Sequence, residues 1–126
     1  MSLRSPLGKV LGHGSAKDGT GHFFGQRVSG LALALLGSCF MVCLFVSTDF
    51  SRAAVSAEIG QPINGVMLLL LSLTLAWHSY LGVQVVIEDY MHGAGSKLAA
   101  LLISRFVHTL LAVAAVYAIL KIGFGA

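Results

Sequence analysis

One histidine stands inside an apolar run long enough to cross a bilayer, Leu73-Thr74-Leu75-Ala76-Trp77-His78-Ser79-Tyr80-Leu81-Gly82-Val83-Gln84-Val85-Val86-Ile87, and the run ends on Glu88-Asp89-Tyr90. A titratable imidazole is costly in hydrocarbon, so by default it is read as a functional site. A helix rising about 1.5 Å and turning about 100° per residue puts His78 about 13 Å from Ile87, close to mid-membrane. Its i−4 and i+4 neighbours, Thr74 and Gly82, are both small, which predicts a flat slot beside the ring where a planar macrocycle could lie. A neutral nitrogen held over such a slot in apolar surroundings is what axial ligation of haem iron requires. The competing reading is a histidine that hydrogen-bonds between helices. A haem that carries electrons usually takes a second axial ligand, and His108, at nearly the same depth in the next apolar run, is one source. A partner chain is the other. For His108 itself, packing or a buried hydrogen bond is the preferred reading.

Asp89 follows His78 by 11 residues, which places it on nearly the same helix face about 16 Å lower, with Tyr90 turned from His78 by about 120°. A phenol beside a carboxylate at the membrane edge can donate a hydrogen bond to a bound carbonyl and take part in proton delivery. The alternative is an interfacial tyrosine next to a solvated helix-end carboxylate. His92 reads as a solvated loop histidine. Arg27 is either a snorkelling anchor at a helix mouth or, with His22, a group facing the cytoplasmic end of whatever His78 holds. Arg105, at i−3 from His108, is shallow enough to snorkel.

The elements that position these residues follow from composition and charge. With 56% apolar and 10% charged residues in 126, the balance is far from the quarter charged of a soluble domain. Val28 to Thr48 is a 21-residue uncharged run, Ile59 to Ile87 one of 29, and Leu98 to Leu120 one of 23 broken only by Arg105. About 20 apolar residues span a bilayer, so the sequence predicts an all-α integral membrane protein with three transmembrane helices. It divides into a cytoplasmic N-terminal segment, residues 1–27, and a three-helix membrane domain, residues 28–126. Arg4, Lys9, Lys17, Arg27, Lys97 and Arg105 lie on one side against Arg52 and Lys121 on the other, which puts the N-terminus in the cytoplasm or the equivalent matrix side. The basic residues form no tract, so the net charge of +3 reflects orientation, and no nucleic-acid partner is expected.

Up to residue 26 the chain is glycine-rich and aperiodic, predicting a largely irregular segment with a short interfacial turn around Pro6 to Leu11. In the first span, Gly30, Ala32, Ala34, Gly37 and Ser38 permit close helix contact. Cys39 and Cys43, one turn apart on one helix, cannot reach disulfide geometry and read as small apolar fillers. Val55-Ser56-Ala57 resembles a signal-peptide cleavage site, but the preceding apolar run is too long for one, so the first span is retained. The Asp49 to Glu58 loop shows no chemistry, and Gln61-Pro62 suits a first helical turn. Gly93-Ala94-Gly95-Ser96 is a tight link that makes the second and third spans antiparallel neighbours.

Arg4-Ser5-Pro6-Leu7-Gly8, Gly12-His13-Gly14-Ser15-Ala16-Lys17-Asp18-Gly19, His22-Phe23-Phe24-Gly25-Gln26-Arg27-Val28, His78-Ser79-Tyr80-Leu81-Gly82 and Glu88-Asp89-Tyr90 together resemble the smaller hydrophobic membrane anchor subunits of bacterial succinate dehydrogenase. The resemblance runs through the end of the second span; the third agrees only in being an apolar helix. It implies a bacterial inner-membrane complex with a flavoprotein subunit that oxidises succinate, an iron-sulfur subunit that carries the electrons, and a cytochrome b anchor subunit. It further implies that His78 ligates haem b opposite a histidine of the cytochrome b anchor. Tyr90 would hydrogen-bond ubiquinone with support from Asp89, and Arg27 and His22 would lie on the haem propionate side, His22 being offset by a position among relatives. No flavin or iron-sulfur motif is present, so catalysis would belong to the complex.

Two other classes compete. A small proton-coupled transporter would use His78 and His108 as a relay, but three spans without an intramembrane carboxylate or a repeated half suit it poorly. A cofactor-free assembly or anchoring protein is separated from both by an absorption spectrum.

Overall fold

The structure, a computed structural model, describes residues 19–125. The motif residues before Gly19 and the turn expected around Pro6 to Leu11 lie outside these. The described chain forms four helices: α1 Gly19–Val46, α2 Arg52–Gly60, α3 Pro62–Tyr90 and α4 Ala94–Gly123. With 28, 29 and 30 residues, α1, α3 and α4 each exceed the roughly 20 residues that span a bilayer, and each is apolar enough to do so. The protein is an all-α, multi-pass membrane protein.

α3 is the central element. It packs against both α1 and α4, while α1 and α4 make no contact with each other among the described residues. The three long helices therefore form a row rather than a closed bundle. Only Leu81, Ile119, Ser29 and Ser104 are buried among the described residues, whereas Leu35, Phe45, Trp77, Phe106 and Tyr117 are exposed. Lipid tails or other apolar helices must cover those faces.

Two boundaries differ from the expectation. α1 begins at Gly19, so His22 to Arg27 are helical rather than irregular. Of the glycines in the segment read as irregular, Gly25 is a contact residue, since a side chain there would meet Leu81 Cδ1 at 3.4 Å. Gly30, read as permitting close helix contact, does so: a side chain there would meet His78 Cε1 at 3.3 Å. Close approach to α3 offsets their helix cost of about 1 kcal/mol each.

The loop after the first span also contains α2. Ser51 caps it, its Oγ accepting from Ala54 N at 3.3 Å, while Asp49 Oδ1 accepts from Ser51 N at 2.8 Å. α3 opens at Pro62, as the Gln61-Pro62 pair predicts. The link between α3 and α4 is shorter than expected, since α4 starts at Ala94.

Candidate functional site

On α1, His22, Gln26, Ser29 and Gly30 follow the i, i+4, i+7, i+8 spacing of one helix face. That face meets His78, Leu81 and Gly82 of α3. Ser29 is 6% exposed and its Oγ lies 2.9 Å from His78 Nδ1. The Cε1 edge of the ring rests on Gly30. Among the described residues, His78 Nε2 has no hydrogen-bond partner, so one imidazole nitrogen is engaged by the scaffold and the other is free.

The slot expected beside His78 is not left open at Gly82. A side chain there would meet Gln26 Nε2 at 3.8 Å: the small residue admits α1, because close backbone approach is what small residues allow between membrane helices. Directly above this contact, His22 Nε2 and Gln26 Oε1 are buried without hydrogen-bond partners. Orphaned polar atoms at such depth are costly. They mark the end of the α1–α3 contact nearest Gly19 as a place with unmet hydrogen-bonding capacity among the described residues. Arg27 is turned away from this face, its guanidinium 5.1 Å above the Phe23 ring.

His108 is differently placed. Its Nδ1 lies 2.7 Å from Ser104 O and its Nε2 3.0 Å from Ser79 Oγ, so both nitrogens are taken, one on α4 and one across to α3. Tyr80 stacks edge-on against the ring at 5.9 Å. His108 thus makes a part-buried hydrogen bond within α4 and an exposed one to α3 rather than the fully buried one expected, and both of its nitrogens are spent inside the chain.

Asp89 and Tyr90 close α3 and are exposed, Tyr90 at 79%. Next to them, Lys97 Nζ donates to Glu88 O at 2.8 Å, which ties the start of α4 to the end of α3, and within α3 Gln84 Nε2 donates to Glu88 Oε1 at 2.8 Å. Two cavities of the described residues lie elsewhere. A groove of about 520 Å³ between α3 and α4 is lined by Tyr80, Gln84, Arg105 and His108. A pocket of about 300 Å³ at the α2 end is lined by Cys43, Asp49, Glu58 and Met67. Neither contains His22, Arg27, His78, Asp89 or Tyr90. Cys39 and Cys43 are free thiols.

Among the described residues, no three His, Cys, Asp or Glu side chains converge on a point where they alone could hold a metal. A porphyrin brings four nitrogens of its own, so one free imidazole nitrogen per helix pair suffices, and His78 fits that demand. Sequence reasoning missed Ser29 and Gln26. Their signal was present as the only polar residues at i+7 and i+4 from His22 on a face that also carries Gly25 and Gly30.

The comparisons with known proteins agree with this architecture. Residues 1–119 match the family model described as succinate dehydrogenase/fumarate reductase transmembrane subunit. The succinate dehydrogenase hydrophobic membrane anchor subunit of Paracoccus denitrificans is 32% identical over 126 residues, covering 100% of this chain and 97% of that one. Its counterpart in Rickettsia bellii is 33% identical over 89 residues, 71% of each chain. The succinate dehydrogenase membrane anchor subunit of Reclinomonas americana is 27% identical over 103 residues, 79% of this chain and 85% of its own. No solved structure matches the chain. This chain, a row of three membrane helices matched along nearly its full length, belongs to the family of succinate dehydrogenase/fumarate reductase transmembrane subunits.

Proposed function

We propose that the chain anchors a succinate dehydrogenase in the bacterial inner membrane, N-terminus cytoplasmic, and helps to bind haem b and ubiquinone between the iron-sulfur subunit and the membrane. The observation that carries this reading is the asymmetry of His78: Nδ1 is engaged by buried Ser29 at 2.9 Å, and Nε2 has no partner among the described residues. When bound, haem supplies a one-electron redox centre at mid-membrane. The chain's own part is to hold the imidazole in one orientation, with Gly30 against its edge and Leu81 packed one turn below. With both nitrogens of His108 engaged, a second ligand to the iron would come from the cytochrome b anchor subunit.

The orphaned His22 Nε2 suits the propionate side, where a ring N–H can donate to a carboxylate, whereas Gln26 Oε1 needs a donor; Arg27 would have to swing from the Phe23 ring to add charge there. Tyr90, exposed at the end of α3, presents its hydroxyl toward a quinone carbonyl, and Asp89 stands beside it as a proton relay group. Both need other subunits to close a pocket around them. The open faces of the helix row are where those subunits pack. Reduced-minus-oxidised spectra of the complex purified through a tag on this chain test the reading directly. A b-type haem signal with flavoprotein and iron-sulfur subunits in the same peak is the expected result; a haem-free peak overturns it.

A further inference from the structure

We propose that Ser29 is a positioning residue that fixes the tautomer of His78, and through it the donor strength of the nitrogen offered to iron; this rests on the reading of His78 as an axial ligand. A serine hydroxyl has one hydrogen and two lone pairs. Ser29 Oγ lies 2.7 Å from Gly25 O, 3.2 Å from Gln26 O and 2.9 Å from His78 Nδ1. Carbonyl oxygens only accept, and the shortest of the three contacts is to one, so the hydroxyl donates to Gly25 O. Toward His78 it has a lone pair to give, and Nδ1 must carry the hydrogen. In a neutral imidazole Nε2 then holds the lone pair. The opposite tautomer would set lone pair against lone pair at 2.9 Å.

His108 provides an internal comparison. Its Nδ1, 2.7 Å from Ser104 O, carries a hydrogen for the same reason, but its Nε2 then accepts from Ser79 Oγ at 3.0 Å. Both histidines are held as the Nδ1–H tautomer by the helix beside or beneath them, and only His78 keeps its lone pair unused among the described residues. Ser29 and Ser104, the two buried polar residues of the described chain, each serve a histidine. An acceptor at the N–H of a metal-bound imidazole orients the ring and raises its basicity. Burial of Ser29 keeps water from taking its place.

The test uses the assembled complex with Ser29→Ala, Ser29→Thr and His78→Ala. Three quantities are read: haem loss to excess apomyoglobin, the low-temperature paramagnetic resonance of the oxidised haem, and its midpoint potential. Ser29→Ala is expected to lose haem roughly 10- to 100-fold faster, with altered g-values and a potential shifted positive, since a weaker donor stabilises the oxidised iron less. Ser29→Thr, which keeps the hydroxyl, restores all three. Should Ser29→Ala fail to assemble, Ser29→Cys, whose thiol is a weak acceptor, reads the same shift. Wild-type values in the alanine or cysteine variant, while His78→Ala abolishes the low-spin signal, overturn the role of Ser29 and leave the ligand in place. An unchanged signal in His78→Ala overturns the ligand reading itself.

Discussion

At the scale of single residues, two membrane-embedded histidines have opposite fates, and hydrogen-bond accounting separates them. His108 spends both nitrogens inside the chain, whereas His78 spends one. His108→Ala should therefore leave haem content and spectrum unchanged and cost about 1 kcal/mol of stability, the scale of an interhelical hydrogen bond in a membrane; thermal unfolding in detergent measures it. Tyr90→Phe should lower quinone reduction roughly tenfold, about one hydrogen bond, with succinate oxidation by artificial acceptors intact. Equal loss of both activities would place Tyr90 outside the quinone pocket. His78 was legible from sequence because a histidine in an otherwise apolar run has few inexpensive explanations. Ser29 was not, since a serine in a membrane helix satisfies itself on its own backbone and gives no outward sign of a partner 49 residues away.

At the scale of elements, glycine decides how closely helices meet. A Cβ on Gly30 would stand 3.3 Å from His78 Cε1, so Gly30→Val must push α1 away from α3. A cost of about 1–3 kcal/mol and an altered haem spectrum are expected, the spectrum distinguishing this contact from one remote from the ring. At the other end, a Cβ on Gly65 would lie 2.9 Å from Ile59 O, a backbone atom with little room to move. Gly65→Ala should lower the melting temperature by disturbing the α2–α3 junction while leaving the haem spectrum as it was. The three spans were readable from charge spacing because a bilayer demands long uncharged helices. α2 and the first turns of α1 were hidden for a related reason: mixed charge and glycine content look like loop composition, while a serine cap at Ser51 and interhelical packing at Gly25 are local and tertiary effects that composition averages away.

At the scale of the molecule, a row of helices with α3 in the middle leaves broad apolar faces and few buried residues, as suits one subunit of a larger membrane assembly. The six-to-two bias of basic residues predicts that alkaline phosphatase fused after Ala126 is active in a bacterial host and that a fusion after Gly95 is inactive; the reverse pattern would invert the orientation. The central claim, that His78 offers Nε2 to haem iron, is tested most directly by the haem content and low-spin absorption of the purified complex with His78→Ala beside the wild type. Loss of the low-spin band, with the four-subunit assembly still recoverable, is the predicted result. An assembled variant with wild-type haem content and an unchanged spectrum would contradict it.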